Sequence, residues 1–448
     1  MKKVDVLVIG GSAGGIPAAI SCRRRYPEKN VHLFRKEAQV QVPCGLPYIF
    51  GTLGSPEKNI IPDAMLENNG IEFTIEEVKR IDRDKKTLLL AGGNTIGYDR
   101  LILATGSSPV VLPIPGIEKK NVFMAKKDTI YLEKMLDAIN AAKDIVIIGG
   151  GFIGVELADE CKKNHNCNVT IVEMLPHCLQ LAIDEEFCNE AETILTDRGI
   201  KLLTSSRVEA ILGDKQVSGI KLSDGKELKA DMIIISIGAK PNIKLAKNAG
   251  LEIGPAKAIA VDRYMRTTDE NIFACGDCCE KYSFFSGKSS IIMLASAAGA
   301  EGRIAGANLF DTHCRNCGEI GVFSTIIGER AFGCAGLTEA AARGEGYDVV
   351  TGDVTAPDRH PGGMPGAVNT KVKLVFSKDD GFLLGGEVSG GTSTCEITNV
   401  ISACIQARMT AHECSLFQMG THPALTASPM VYQFVNAAEL AVKKTRTS

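Results

Sequence analysis

The chain has 448 residues, 45% hydrophobic and 23% charged, with 46 glycines, no tryptophan and a formal net charge of −3. At about 150 residues per domain this length predicts about three domains, and the near-balanced charge offers no basic field for nucleic acid or an anionic membrane. No apolar run reaches the ~18 residues of a membrane span, and Met1-Lys2-Lys3 leads straight into a strand, so no signal peptide is expected.

The fifteen cysteines are odd in number and irregularly spaced. That argues against a secreted disulfide framework and for a reducing, cytoplasmic setting, with most cysteines acting as small buried hydrophobes.

In chain order, Val4–Ile9 reads as a strand buried on both faces, Gly10-Gly11-Ser12-Ala13-Gly14-Gly15 as a tight turn, Ala18–Arg25 as a helix and Val31–Phe34 as a second strand. This is a dinucleotide-binding unit, although Ser12 stands at the second glycine position. Arg35 lies 20 residues after Gly15, where an acid is usual, with Lys36 and Glu37 beside it. Next comes Val42-Pro43-Cys44-Gly45-Leu46-Pro47-Tyr48. A thiol that starts a helix or lies near a flavin is activated as a nucleophile; by pattern alone a buried, inert cysteine is the favoured reading here. Position 49 is Ile49, so Cys44 has no C-x4-C partner.

Leu101–Leu103 enters another turn, Ala104-Thr105-Gly106, and Pro109, Pro113 and Pro115 read as a linker. The first unit then repeats 139 residues downstream: strand Ile145–Ile148, turn Gly149-Gly150-Gly151-Phe152-Ile153-Gly154, helix Val155–Lys163 and strand Val169–Val172. Gly149, Gly151 and Gly154 complete G-x-G-x-x-G. Glu173 follows 19 residues after Gly154, where a carboxylate accepts from a ribose 2′-hydroxyl and repels a 2′-phosphate, which favours NADH over NADPH. Strand-and-turn patterns recur at Ile233–Gly238 and at Ile272–Asp277; in the latter, Gly276-Asp277 is suited to holding a polyol hydroxyl or to forming a plain Asx turn.

Beyond about residue 325 the texture becomes α+β: strands Lys371–Phe376 and Phe382–Val388 around Asp379-Asp380-Gly381, then helices near Ile397–Arg408 and Val431–Lys443. Cys314-Arg315-Asn316-Cys317 is one C-x2-C, too few ligands for a structural zinc site. Cys275, Cys278 and Cys279 flank Asp277 and read as small residues packed near a cofactor, and Arg23-Arg24-Arg25 reads as a solvated helix end or a phosphate grip.

Taken together, Gly10–Gly15, Cys44–Tyr48, Ala104–Gly106, Gly149–Gly154 with Glu156, Gly238 with Pro241-Asn242, Phe273–Asp277 and Gly336-Leu337-Thr338-Glu339 resemble, over essentially the whole chain, the single-cysteine branch of the FAD-dependent pyridine nucleotide–disulfide oxidoreductases. That branch holds CoA-disulfide reductases, NADH oxidases, NADH peroxidases and persulfide reductases. The resemblance implies an α/β fold with two Rossmann-like domains and a C-terminal α+β dimerisation domain. FAD would bind residues 1–115 and 245–325, NADH residues 116–244, and residues 326–448 would form the homodimer. It implies FAD contacts at Gly10, Ser12, Ala13, Gly14, Gly15, Arg35, Lys36, Glu37, Ala104, Thr105, Gly106, Gly276, Asp277, Leu294, Ala295 and Ser296. NADH contacts follow at Gly149, Gly151, Phe152, Ile153, Gly154, Glu173 and Gly238, with Glu156 near the nicotinamide. Cys44 would be the redox cysteine, and His422 of the partner subunit an acid–base group. The chain departs from the branch in lacking tyrosine in His360–Gly366 and Thr421–Thr426 and in Val40-Gln41-Val42-Pro43 before the cysteine; Thr421-His422-Pro423 instead resembles the tail of glutathione reductase-like enzymes, the source of the His422 role, where the Glu that usually orients that His is Ala427 here. The expected substrate is a persulfide, polysulfide, CoA disulfide or other small disulfide. The alternatives are an O2-reducing NADH oxidase and a redox-sensing flavoprotein.

Overall fold

The computed structural model describes residues 2–447, with side chains through Lys444. It divides into two compact units: Met1–Ala142 with Ile211–Ser218 and Asp231–Glu319, and Lys143–Ala210 with Gly219–Ala230 and Ile320–Ser448.

The first unit is built on β1 (Lys2–Ile9), helix α1 (Gly15–Arg25), β2 (Val31–Arg35), β3 (Glu72–Ile75), β4 (Val78–Asp82), β5 (Thr87–Leu90) and β6 (Thr95–Leu103). The sheet order is β3-β2-β1-β6-β5-β4, and strand Ile272–Ala274 pairs with the end of β6. β1, β2, β3, β6 and Ile272–Ala274 run parallel, whereas β4 and β5 form antiparallel pairs beside β6. The core strands are continuous apolar runs because both faces are buried: Val6, Leu7, Val8, Leu101, Ile102 and Leu103 are all fully enclosed. Helix Ala295–Ala307 packs on α1 through glycines. A Cβ at Gly302 would lie 2.3 Å from the Gly14 carbonyl, and one at Gly306 would lie 2.2 Å from that of Ala18. The proline-rich segment expected as a linker contains a strand, Ser107–Pro109, paired antiparallel with Ala239–Pro241.

In the second unit, parallel strands Asp144–Ile148, Asn168–Val172 and Ile200–Leu203 carry helices Phe152–Asn164 and Glu185–Asp197. A five-stranded antiparallel sheet follows, in the order Val322–Ile327, Arg330–Gly336, Leu383–Gly390, Asn369–Ser377, Val349–Pro357. Helices Thr394–Gln406 and Gln433–Thr447 pack on it. The molecule is thus mixed α/β, with Rossmann-like strand–helix–strand repeats and a C-terminal α+β sheet. No helix of the described residues is long and apolar enough to cross a membrane.

Glu387, on the central strand of that sheet, is fully buried. Its Oε1 accepts from the Asp184 amide at 2.6 Å, while its Oε2 has no hydrogen-bond partner. Burial pushes its carboxyl up to about 9. The folded state therefore binds a proton that the unfolded chain releases above about pH 4.5, so stability falls as pH rises from there to about 9. Glu387→Gln is expected to raise Tm relative to the parent, by a margin that widens from pH 5.5 to 8.5. Thermal melts at three pH values check this, and a margin independent of pH contradicts it.

Candidate functional site

Parallel strands deliver their loops at their carboxyl ends. Here Gly10 follows β1, Ala104-Thr105-Gly106 follows β6, and Cys275-Gly276-Asp277 follows Ile272–Ala274. Hydrogen bonds join the three exits: Ala104 N–H donates to the Ile9 carbonyl (2.8 Å) and Cys275 N–H to that of Leu103 (2.9 Å), while Gly10 N–H ties the first exit to β2 through the Phe34 carbonyl (2.8 Å). Gly10 has φ +114°, and a Cβ there would lie 2.1 Å from the Ala104 carbonyl oxygen. Gly276 (φ +77°) sits against Gly14 and Ala298. Gly106 (φ +65°) would meet nothing within 4 Å. The backbone here is therefore packed hard on one side and open on the other, with the first turn of α1 behind it. This arrangement fits the pyrophosphate of a dinucleotide, which needs close backbone approach and unpaired helix N–H groups.

Ser12 and Ala13 complete the turn into α1. Asp277 accepts from the Ser107 hydroxyl at 2.7 Å. Leu294 caps helix Ala295–Ala307, whose first residues are Ala295 and Ser296. Asn242 organises the Thr105 loop: its Nδ2 donates to the Thr105 carbonyl at 2.9 Å, and its carbonyl accepts from the Thr105 hydroxyl at 2.8 Å. Arg35 is buried, with its guanidinium paired to both Asp63 oxygens (2.5 and 2.9 Å) and lying over the Phe73 ring. Its stem covers Gly11, while Lys36 and Glu37 pair with each other at 3.7 Å.

Cys44 is exposed, in the short turn Pro43–Gly45. That removes the reading of a buried, inert thiol. The turn is tied down by two buried amides missed in the sequence. Asn59 Nδ2 donates to Gln41 Oε1 and to the Val42 carbonyl, both at 3.0 Å, and Gln41 Nε2 donates to the Thr129 hydroxyl at 3.0 Å. A Cβ on Gly45 would lie 2.0 Å from Asn59 Oδ1. Eleven of the other cysteines are buried, whereas Cys314, Cys317 and Cys395 are exposed. Burial pushes Cys22, Cys178 and Cys188 up to about 12 and raises Cys275, Cys278, Cys279 and Cys334 as well, which disfavours their thiolates. No disulfide forms among the described residues.

In the second unit, Gly149 (φ +106°) starts the turn and Gly151 would meet nothing within 4 Å, again leaving an open backbone at a helix start. Gly154 is buried within the first turn of the helix, while Ile153 is exposed. Glu173 Oε2 accepts from Gly150 N–H (2.6 Å) and Oε1 from Leu175 N–H (2.7 Å), so its carboxylate is fixed beside the turn. Phe152 stacks on Phe323 with centroids 5.4 Å apart. Glu156 accepts from the Thr325 hydroxyl at 2.8 Å; burial pushes its carboxyl up to about 7, with Thr325 opposing. Gly238 (φ +99°), in the first unit, would also meet nothing within 4 Å. His422 is exposed, its Nδ1 accepting from Ala424 N–H at 3.2 Å.

The model of the pyridine nucleotide-disulphide oxidoreductase family matches residues 4–302, and that of the family's dimerisation domain matches residues 322–431. The chain belongs to this family and is an NAD(P)H-dependent flavoprotein oxidoreductase. It is 33% identical over 397 residues to the NAD(P)H coenzyme A polysulfide/persulfide reductase of Pyrococcus horikoshii, covering 87% of this chain and 88% of that one. It is 30% identical over 454 residues to an NADH oxidase of Methanocaldococcus jannaschii, covering 98% of each. Among solved structures, a NAD-dependent persulfide reductase from A. fulgidus superposes with TM-score 0.91 at 30% identity, over 99% of this chain and 84% of that one.

Proposed function

We propose that this flavoprotein reduces a sulfur substrate, a persulfide, polysulfide or small disulfide, at the expense of NADH and through a single cysteine, Cys44. The observation that carries the reading is Cys44 itself: an exposed thiol on a turn immobilised by Gln41 and Asn59, in a chain whose relatives include persulfide reductases.

In this reading residues 1–115 and 245–325 hold FAD through the Gly10–Gly15, Ala104–Gly106 and Gly276-Asp277 exits, with Arg35, Lys36, Glu37 and Leu294–Ser296 around it. Residues 116–244 hold NADH through Gly149–Gly154, Glu173 and Gly238. When bound, FAD supplies a two-electron carrier between nicotinamide and sulfur. The Cys44 thiolate attacks the sulfur of a persulfide, RSSH, forming a mixed disulfide Cys44–S–S–R and releasing HS⁻; two electrons and a proton then return the Cys44 thiolate and RSH. With a disulfide RSSR the leaving group is RS⁻. His422 of the partner subunit is the candidate proton donor. Residues 326–448 form the homodimer, consistent with the dimerisation-domain match and with exposed Leu416, Leu425 and Met430. Unbridged thiols support a reducing, cytoplasmic setting.

An NADH oxidase is the second reading, favoured by the full-length likeness to the M. jannaschii protein. Anaerobic NADH oxidation against persulfide, polysulfide, CoA disulfide and glutathione disulfide, compared with O2 alone, separates the two. Faster turnover with a sulfur compound supports the proposal; O2 as the only effective acceptor overturns it. In the same assay NADH is expected to exceed NADPH by about tenfold or more in kcat/KM, because the 2′-phosphate would meet the fixed Glu173 carboxylate. Equal efficiencies contradict that role.

A further inference from the structure

Behind the Gly276-Asp277 turn lies an ion pair that none of the motifs includes. Lys281 and Glu301 have side chains 2% and 0% exposed. Lys281 Nζ donates to both Glu301 oxygens at 2.9 and 2.8 Å. Both partners also grip the same residue: Glu301 Oε2 accepts from Gly276 N–H at 2.8 Å, and Lys281 Nζ donates to the Gly276 carbonyl at 2.9 Å. The N–H and C=O of one left-handed glycine are thus held by opposite charges that also hold each other. Gly276 is the residue that rests on Gly14 and Ala298, and it immediately precedes Asp277. A small cavity of about 20 Å³ is lined by Asp277, Cys279, Lys281 and Met293, so Lys281 lies just behind the loop surface.

A buried ion pair contributes little net stability when hydrophobic residues could replace it, and here both partners also bond the backbone of Gly276. We propose that Lys281 and Glu301 are positioning residues for FAD: they lock Gly276 in its left-handed conformation and thereby present Asp277 and the backbone to the cofactor. This rests on the reading that FAD is held at this turn.

The experiment uses deflavinated protein from the full chain and the variants Lys281→Met, Glu301→Leu, Glu301→Gln and the double Lys281→Met/Glu301→Leu. FAD affinity is read by fluorescence titration, apoprotein Tm by calorimetry, and the flavin midpoint potential on reconstituted samples. Each single loss is expected to raise the FAD Kd about tenfold or more, as the loss of a charge-assisted hydrogen bond implies. Glu301→Gln keeps an acceptor for Gly276 N–H and is expected to bind FAD more tightly than Glu301→Leu. The double variant, free of an unpaired buried charge, is expected to recover apoprotein Tm while its FAD affinity stays low and its flavin potential stays shifted. A merely structural pair would recover both together. If the double variant binds FAD with parental affinity and potential, or if the single variants lose Tm with no change in FAD affinity, the inference is overturned. Failure of the parent chain to bind FAD would instead refute the cofactor reading beneath it.

Discussion

Cys44→Ser is expected to lower turnover of sulfur substrates by orders of magnitude while leaving FAD bound and still bleached by NADH. Attack on a sulfur–sulfur bond requires a thiolate, and a serine hydroxyl does not ionise near neutral pH. The flavin-reducing half of the cycle involves no sulfur and is expected to be kept. The fold should also tolerate the change: Cys44 is exposed, and the turn around it is fixed by Gln41, Asn59 and Gly45. The buried thiols offer no substitute, because burial favours their protonated forms, as at Cys22 and Cys178. Cys314→Ser and Cys317→Ser serve as exposed controls and should change turnover little. Stopped-flow flavin reduction and steady-state assays on the same preparations check both halves. Retained turnover in Cys44→Ser, with loss in a Cys314 or Cys278 variant, would relocate the chemistry.

Gly15→Ala should be severely damaging at the first turn. The new Cβ would lie 1.8 Å from the Gly10 carbonyl oxygen and 2.9 Å from its carbon. Neither neighbour can yield. Gly10 already sits at φ +114° with its own Cα hydrogens facing the Ala104 carbonyl, and its N–H is engaged by Phe34. Relief requires α1 to move off β1, which opens the surface proposed for the pyrophosphate. The variant is expected to purify colourless or nearly so, with FAD affinity reduced by about a hundredfold, the size of effect that strain from overpacking reaches. Flavin content per chain, measured beside far-UV circular dichroism, separates loss of cofactor from loss of fold. A yellow protein with one FAD per chain would show that the turn is looser than its packing indicates.

Much of this was legible in the sequence because the relevant constraints are local. The Gly-rich turns read clearly because glycine is needed where a chain leaves a buried strand, turns left-handed and enters a helix, all within six residues. Gly10, Gly149, Gly238 and Gly276 do adopt positive φ. The parallel strands read clearly because burial on both faces leaves an uninterrupted apolar run. The antiparallel strands left no such trace: β4 has mixed faces, and β5, though mostly buried, is only four residues long. The strand at Ser107–Pro109 was hidden by its proline, which is tolerated because it pairs only with another short edge, Ala239–Pro241.

What supports the site was the least legible part. Gln41 and Asn59 meet 18 residues apart, Thr325 reaches Glu156 across 169 positions, and Lys281 meets Glu301 across 20. These contacts follow from the fold, and no local spacing announces them. A Lys, a Glu or an Asn on its own reads as surface. The one available signal was composition: Glu301 stands in Ala295–Ala307, a helix of small residues whose one other charge is Arg303, and asks for a partner once burial is assumed.

The central claim is that one flavin and one cysteine form the electron-accepting unit of each chain. It is tested most directly by anaerobic titration with NADH of protein first oxidised with a small disulfide and freed of excess reagent. The account expects about two equivalents of NADH per chain for the parent and about one for Cys44→Ser, since each two-electron couple takes one equivalent. About one equivalent for both proteins would contradict it.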